Sequence, residues 1–468
     1  MTTALLSSPR EFLLDLPNYT YYENKNKTNL ICVDPTNGNI RANLNNSNVI
    51  TFNYKASDTY INLGSNNTGI KAKISFLTRL NNANDAEADI TLSNSFFLHL
   101  FNNVRLRLGN NEIENINNPG IIVDVMNILK NNRNENEGII LDGGGGGGGA
   151  VSRKINNPAV NAGAATVINS TTNNADYNKG YAKRKLKYNY TVTGNDVPRE
   201  IEIFIPLSNI FGFCDSYDKV LKFTNIQIDL TRKPVQESTW CVFGIDTTSI
   251  RLGDTDNTGL MNIQLILEEV IPSADVILNL EERIKTPLII NFLQRTCELK
   301  TANQEQNYDI SETQFSNPQY VIVVAKNSTA DTAQRNSSLC LHSDMQEVRI
   351  TLDGRDYPNI SQLSNFGTNC FSMFYQQFKE LCAKLNNENP ISAQDFKNLY
   401  TIFCTDLTSQ TPKLTSGISN LRISLRRRAL PGTDADLKNV RSVHYYIIVL
   451  SESVISLDML KRLSSKIR

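Results

Sequence analysis

The sequence predicts an all-β chain: two tandem antiparallel sandwiches with a few short helices in the connections. Three observations predict it. Short runs alternate apolar and polar residues, the connections are rich in Asn, Gly, Asp and Ser, and one half of the chain repeats the other in order. Alternation at period two sends one set of side chains into a core and the other into water. Asn, Gly, Asp and Ser supply the tight turns that antiparallel neighbours need. A length of 468 residues also exceeds one ordinary hydrophobic core, so two domains are expected.

In chain order, the first clear strand is Val104-Arg-Leu-Arg-Leu108, with Val104, Leu106 and Leu108 on one face. Ile121–Lys130 then carries apolar residues at helical spacing. Ile201-Glu-Ile-Phe-Ile205 and Ile226-Gln-Ile-Asp-Leu230 alternate again, and Ala274–Lys285 reads as a helix. Val348-Arg-Ile-Thr-Leu352 is the next alternating run. Two helical stretches follow, Phe371–Leu385 with Phe374, Phe378 and Leu381 on one stripe, and Ser392–Tyr400. Leu421-Arg-Ile-Ser-Leu425 completes the set. Strands this numerous, with helices this few, exclude an alternating α/β architecture.

The repeat sets the domain organisation. Val104-Arg-Leu-Arg-Leu-Gly-Asn110 resembles Val348-Arg-Ile-Thr-Leu-Asp-Gly354, a separation of 244 residues (104 to 348). Ile226-Gln-Ile-Asp-Leu-Thr-Arg232 matches Leu421-Arg-Ile-Ser-Leu-Arg-Arg427 at 195 (226 to 421), and Glu269-Val-Ile-Pro-Ser273 matches Ser453-Val-Ile-Ser-Leu457 at 184 (269 to 453). The shrinking separation places insertions in the first copy. The larger one coincides with a low-complexity stretch at about 131–187 that contains Gly143–Gly149. The expected layout is an arm at 1–19, a first domain at 20–275, a linker at 276–286, a second domain at 287–460 and a tail at 461–468. The low-complexity stretch is expected at the surface, because it has no apolar periodicity to bury.

Composition narrows the function. Lys+Arg and Asp+Glu balance at 47 each, which argues against the basic face of a dedicated nucleic-acid binder and leaves little repulsion against self-association. The segment preceding Asn18 lacks a basic region leading into an apolar stretch, so no export signal is expected. The longest apolar run, Tyr445–Leu450, is strand-sized. The eight cysteines, Cys32, Cys214, Cys241, Cys297, Cys340, Cys370, Cys382 and Cys404, form no CxxC pair and are expected as free thiols. The Asn-x-Ser/Thr triplets at Asn66 and Asn327 read as chance in an Asn-rich chain.

No chemistry-bearing constellation stands out. Gly143–Gly149 lacks the Lys-Ser/Thr of a phosphate loop. His99, His342 and His444 are isolated, and His99 and His342 precede the first matched strand of each copy, which suggests a shared structural role. Asp254–Gly259 begins like a calcium loop but has Leu265 where the bidentate Glu belongs. Glu268-Glu269 and Glu281-Glu282 read as solvated faces. Arg426-Arg-Arg428 reads as a strand end at a surface or subunit contact, with contact to an enclosed nucleic acid as the sharper alternative. Arg105 and Arg422, on polar strand faces, are candidate contacts between subunits. No catalytic, cofactor-binding or metal-binding residue is expected.

Several segments resemble the double jelly-roll major capsid proteins of double-stranded DNA viruses, in particular those of the Polinton/Maverick, adintovirus and virophage group. These are Phe96-Phe-Leu-His-Leu-Phe-Asn-Asn-Val-Arg-Leu-Arg-Leu-Gly109, Ile203-Phe-Ile-Pro-Leu-Ser-Asn-Ile-Phe211 with Leu221–Arg232, and Met345-Gln-Glu-Val-Arg-Ile-Thr-Leu-Asp-Gly-Arg-Asp-Tyr-Pro358. The resemblance implies two eight-stranded jelly rolls in tandem. It implies homotrimers that tile an icosahedral virion capsid around double-stranded DNA without sequence-specific binding, assembly inside the host cell, and a penton or minor capsid protein as a partner at the vertices. It implies no enzyme activity and no cofactor. The competing readings are an exported glycan-processing amidase on a double sandwich and a glycan-binding module. The first would need paired carboxylates in a cleft, and the second exposed aromatics where this chain has one tryptophan, Trp240.

Overall fold

The computed structural model describes residues 25–39, 44, 48–55, 58–78, 91–92, 95–130, 197–222, 225–233, 242–243, 250–251, 259–303, 307–327, 340–359, 363–398, 400–409, 418–428, 442–461 and 463–467. The low-complexity stretch, Gly143–Gly149, Trp240, Cys241 and most of Asp254–Gly259 lie outside them.

The first half contributes eight principal strands. They are β1 (Lys25–Val33), β2 (Val49–Tyr54), β3 (Gly69–Thr78), β4 (Phe101–Leu108), β5 (Asn111–Asn117), β6 (Val197–Pro206), β7 (Ile226–Arg232) and β8 (Gly259–Pro272). The second half contributes β9 (Leu288–Asn303), β10 (Asn307–Ser316), β11 (Pro318–Asn327), β12 (Met345–Leu352), β13 (Arg355–Tyr357), β14 (Ile402–Asp406), β15 (Ile418–Arg427) and β16 (Ser442–Asp458). The helices are α1 (Pro119–Lys130), α2 (Leu207–Ile210), α3 (Gly212–Ser216), α4 (Ala274–Arg283), α5 (Ser372–Lys384) and α6 (Ala393–Asn398). Each of the four helices expected from sequence is present, so part of the expected linker is the helix α4. The expected tail at 461–468 is more than a tail: Leu463–Ile467 adds an antiparallel strand to β16.

Each half pairs its strands in the same order. In the first, β1-β8-β3-β6 form one sheet, extended by short extra strands, and β2-β7-β4-β5 the other. In the second, β9-β16-β11-β14 and β10-β15-β12-β13 form the sheets, so strand n of one half corresponds to strand n+8 of the other. The register repeats as well. Val104 lies opposite Leu230 and Leu108 opposite Ile226. Their counterparts Val348 and Leu352 lie opposite Leu425 and Leu421. The turn after each strand closes with the same backbone bond, Gly109 N to Asn225 O at 2.8 Å and Asp353 N to Asn420 O at 2.9 Å.

Alternation explains the cores. Val104, Leu106 and Leu108 are buried while Arg105 and Arg107 point outward, and Leu421, Ile423 and Leu425 are buried in the same way. Each such side chain contributes roughly 1.5–3 kcal/mol on leaving water. The second half also buries an aromatic cluster under α5. There Phe366, Phe374 and Phe403 contact one another with centroids 5.0–6.5 Å apart. Among the described residues no helix is long and apolar enough to cross a membrane.

Candidate functional site

The two halves meet where β9 lies against β5 and α3, and the contact is built around a buried carboxyl group, Glu114, and a buried guanidinium, Arg295. Glu114 on β5 is fully buried. Its carboxylate accepts from Phe213 N at 2.8 Å and from Arg295 N at 3.0 Å, and Gly212 N also donates to it. Burial pushes this carboxyl above its ordinary value, against the pull of these amides and of Arg295. The Arg295 guanidinium, on the face of β9 turned to the first half, donates to Asn209 O at 2.7 Å, Ile210 O at 3.1 Å and Asp215 Oδ2 at 2.6 Å. It thereby satisfies carbonyls at the end of the one-turn helix α2 that would otherwise be orphaned. Lys130, the last residue of α1, also pairs with Asp215, and burial lowers its ammonium below the ordinary lysine value. Gly212 permits the closest approach: a Cβ there would lie 1.8 Å from Leu293 O.

A second buried pair lies in the first half. His99 Nε2 and Asp124 Oδ2 are 3.1 Å apart, with 1% and 4% of their side chains exposed. Gly120 of α1 rests directly on the imidazole, where a Cβ would lie 2.5 Å from Nδ1. Burial lowers the affinity of His99 for a proton; Asp124 opposes this, and Lys233 and Lys326 reinforce it. A base whose folded value is depressed contributes stability above its unfolded value and loses it as pH falls. Stability is therefore expected to fall as pH drops below about 6.5, the ordinary histidine value. His99→Gln should flatten that slope, as measured by denaturant midpoints across the range. An unchanged slope would assign the effect elsewhere.

His342 is also buried, but its surroundings differ. Its Nδ1 accepts from Asp344 N at 3.0 Å, and its ring stacks on Phe366 with centroids 4.7 Å apart. The two histidines share burial and position ahead of a strand, while their partners differ. His444 stands on β16 opposite Thr301.

The remaining residues singled out from sequence have structural surroundings. Leu265 is buried in β8 between Val33 and Ile70. Glu268 is buried and bonded by Ser65, Glu269 accepts from Asn29 at 3.0 Å, and Glu281 pairs with Lys222; these are partnered carboxylates rather than freely solvated ones. Arg427 is buried and donates to Ser343 O at 3.1 Å, and Arg428 pairs with Asp344 at 3.0 Å, so two of the three basic residues serve the fold. Arg105 and Arg422 already pair across strands, with Glu112 at 3.0 Å and Asp309 at 3.2 Å. The seven described cysteines are free thiols. Burial pushes the Cys382 thiol up to about 12 and raises Cys214, Cys297, Cys340 and Cys404 as well, which leaves these thiols unreactive. Among the described residues no three His, Cys, Asp or Glu side chains come together where they could hold a metal ion.

One surface cavity, of about 660 Å³, opens in the second half. It lies between the end of β13 at Tyr357 with Pro358 beyond it, the end of α5 at Leu381 and Lys384, and the end of β14 at Cys404 and Asp406. Lys384 pairs with Asp406 and lies 5.7 Å from the centroid of the Tyr320 ring. The bond to Asp406 raises the Lys384 ammonium. Burial works to raise the Asp406 carboxyl, and the bonds from Lys384 and Thr408 outweigh it, holding it below its ordinary value.

No family model matches the chain, and no curated protein matches it. Solved structures do. A chain of the Sputnik virophage structure matches with a TM-score of 0.57 at 11% identity, covering 100% of this chain and 93% of that one. The major capsid protein of mavirus matches with a TM-score of 0.55 at 9% identity, covering 94% and 90%. The Faustovirus major capsid protein matches at 0.51 and 8% identity, covering 92% and 90%. Coverage of both partners over nearly their whole length, with the same strand order in each half, decides the fold.

The chain is a double jelly roll. Sequence reasoning reached this architecture but missed the clasp that joins its two rolls, Glu114, Arg295, Asp215 and Gly212. The one available signal was Arg295 within a run rich in apolar residues, Leu288–Cys297, on a strand with no reason of its own to carry a charge.

Proposed function

We propose that this double jelly roll is a major capsid protein, a homotrimer whose copies tile an icosahedral shell around a double-stranded DNA genome. One observation carries the reading: the chain holds two copies of one eight-stranded unit, side by side, locked through β9 and β5. Three such chains about a threefold axis present six similar lobes, which is a pseudo-hexagonal tile whose contacts close. The similarity to the mavirus and Faustovirus major capsid proteins supports it. So does the zero formal net charge, which opposes close association very little.

In this reading the chain is structural, without a catalytic step or cofactor. Its partners are further copies of itself and a penton or minor capsid protein at the vertices. It encloses DNA without reading sequence. The test is the mass of the purified full chain by light scattering. The expected result is a stable species of three chains of 52.4 kDa each. A chain that stays monomeric at micromolar concentration would overturn the reading.

A further inference from the structure

The geometry points to a specific contact between copies: the exposed face of β1, at Leu30 and Cys32, docks into the cavity of the second roll on a neighbouring copy. This rests on the capsid reading above and deepens it. The first observation is a correspondence of strands. Arg295 on β9 lies opposite Leu450, and Leu293 opposite Glu452. Subtracting the 184-residue repeat from these partners gives Ile266 and Glu268, which lie opposite Cys32 and Leu30 on β1. Leu30 and Cys32 are therefore the first roll's counterparts of Leu293 and Arg295. On β9 Arg295 is buried in the clasp and Leu293 is half-buried beside it. On β1 Leu30 is 61% exposed and Cys32 is exposed.

The second observation is a correspondence of sockets. The clasp takes Arg295 between β5 at Glu114, the last residue of α1, Lys130, and the aspartate that pairs with it, Asp215. The cavity is built in the same way, from the end of β13, the last residue of α5, Lys384, and the aspartate that pairs with it, Asp406. One socket is filled by β9 of the same chain, and the other is open with a volume of about 660 Å³.

The third observation is that strand and socket change together. The strand register sets Tyr357 where the clasp has Glu114: Glu114 lies opposite Leu106, and Tyr357 lies opposite its counterpart Ile350. No carboxylate stands at that position of the socket, whose incoming strand carries Cys32 in place of Arg295. Tyr320, Tyr357, Pro358 and Leu381 instead offer apolar surface to Leu30. Within one chain the second roll's β9 fills the first roll's socket. Between copies, β1 of one chain fills the second roll's socket of the next, and three repetitions close a ring.

Cross-linking tests this on the full chain. With Cys241 and Cys370 replaced by Ser, Lys384→Cys is introduced and the protein is treated with a short bis-maleimide. The expected products are covalent dimers and trimers and nothing larger, and Cys32→Ser should abolish them. In an independent arm, Leu30→Glu should raise the concentration at which trimers dissociate at least about tenfold, because it sets a charge in an apolar contact. A wild-type trimer with no cross-link, and with Leu30→Glu leaving dissociation unchanged, would overturn the docking and leave the capsid reading standing. Covalent products larger than trimers would place the contact between tiles and also overturn it. A monomeric wild type would remove both. Should Leu30→Glu fail to fold, the cross-link decides.

Discussion

Arg295→Met is expected to destabilise the chain by about 2–6 kcal/mol, because it leaves two carbonyls at the joint without their donor, at about 1–3 kcal/mol each. Methionine fills similar space, so the loss is electrostatic rather than a cavity. It strands the carbonyls of Asn209 and Ile210, weakens the support of Asp215 and removes the cation beside Glu114. Adding Glu114→Leu should not restore stability. The carboxylate also satisfies the backbone amides of Phe213, Gly212 and residue 295, each of which costs about 1–3 kcal/mol when buried without an acceptor. Urea denaturation followed by circular dichroism measures both variants. A loss under about 1 kcal/mol for the single change would show that the clasp does not hold the rolls together. Full recovery in the double variant would show that the pair, not the amides, is what Glu114 serves.

Gly212→Ala is expected to have an effect of similar size through packing alone. The added methyl would meet Leu293 O at 1.8 Å, and that atom belongs to the backbone of β9, which is held along its length by β16. The neighbour cannot rotate away, so α3 or the whole strand must shift. Such a shift would lengthen the bonds from Phe213 and Arg295 to Glu114. The expected readout is a lowered melting temperature together with faster proteolysis between the rolls, while each roll keeps its β-sheet signal. A variant as stable as the parent would mean that the contact is loose enough to absorb a methyl.

Much of the fold was legible because its causes are local. Val104, Leu106 and Leu108 alternate with arginines, and that pattern alone assigns an inner and an outer face to β4. The matched segments were legible as copies because equal burial demands on equivalent strands preserve an apolar pattern. They landed in equivalent register, Val104 with Leu230 and Val348 with Leu425. The clasp was not legible. Glu114 alternates within β5 like any exposed strand residue, and Asp215 sits in a short polar stretch. Nothing near either residue in sequence announces a cation 181 or 80 residues away. Arg105 and Arg422 were legible as outward-facing, while their partners Glu112 and Asp309 depended on which strands became neighbours.

By itself, then, the sequence determined the class of fold, the duplication and the faces of the strands, because period-two alternation and turn residues act over a few neighbours. Only the tertiary structure decided how the two rolls are joined, and which of two equivalent edge strands is covered. β9 and β1 hold equivalent places in their sheets, yet β9 buries Arg295 in a socket that completes its hydrogen bonds, whereas β1 leaves Leu30 exposed. Whether an outward-facing side chain ends in water or in an interface depends on what lies across from it. That is settled by shape and charge over distances that no local pattern encodes.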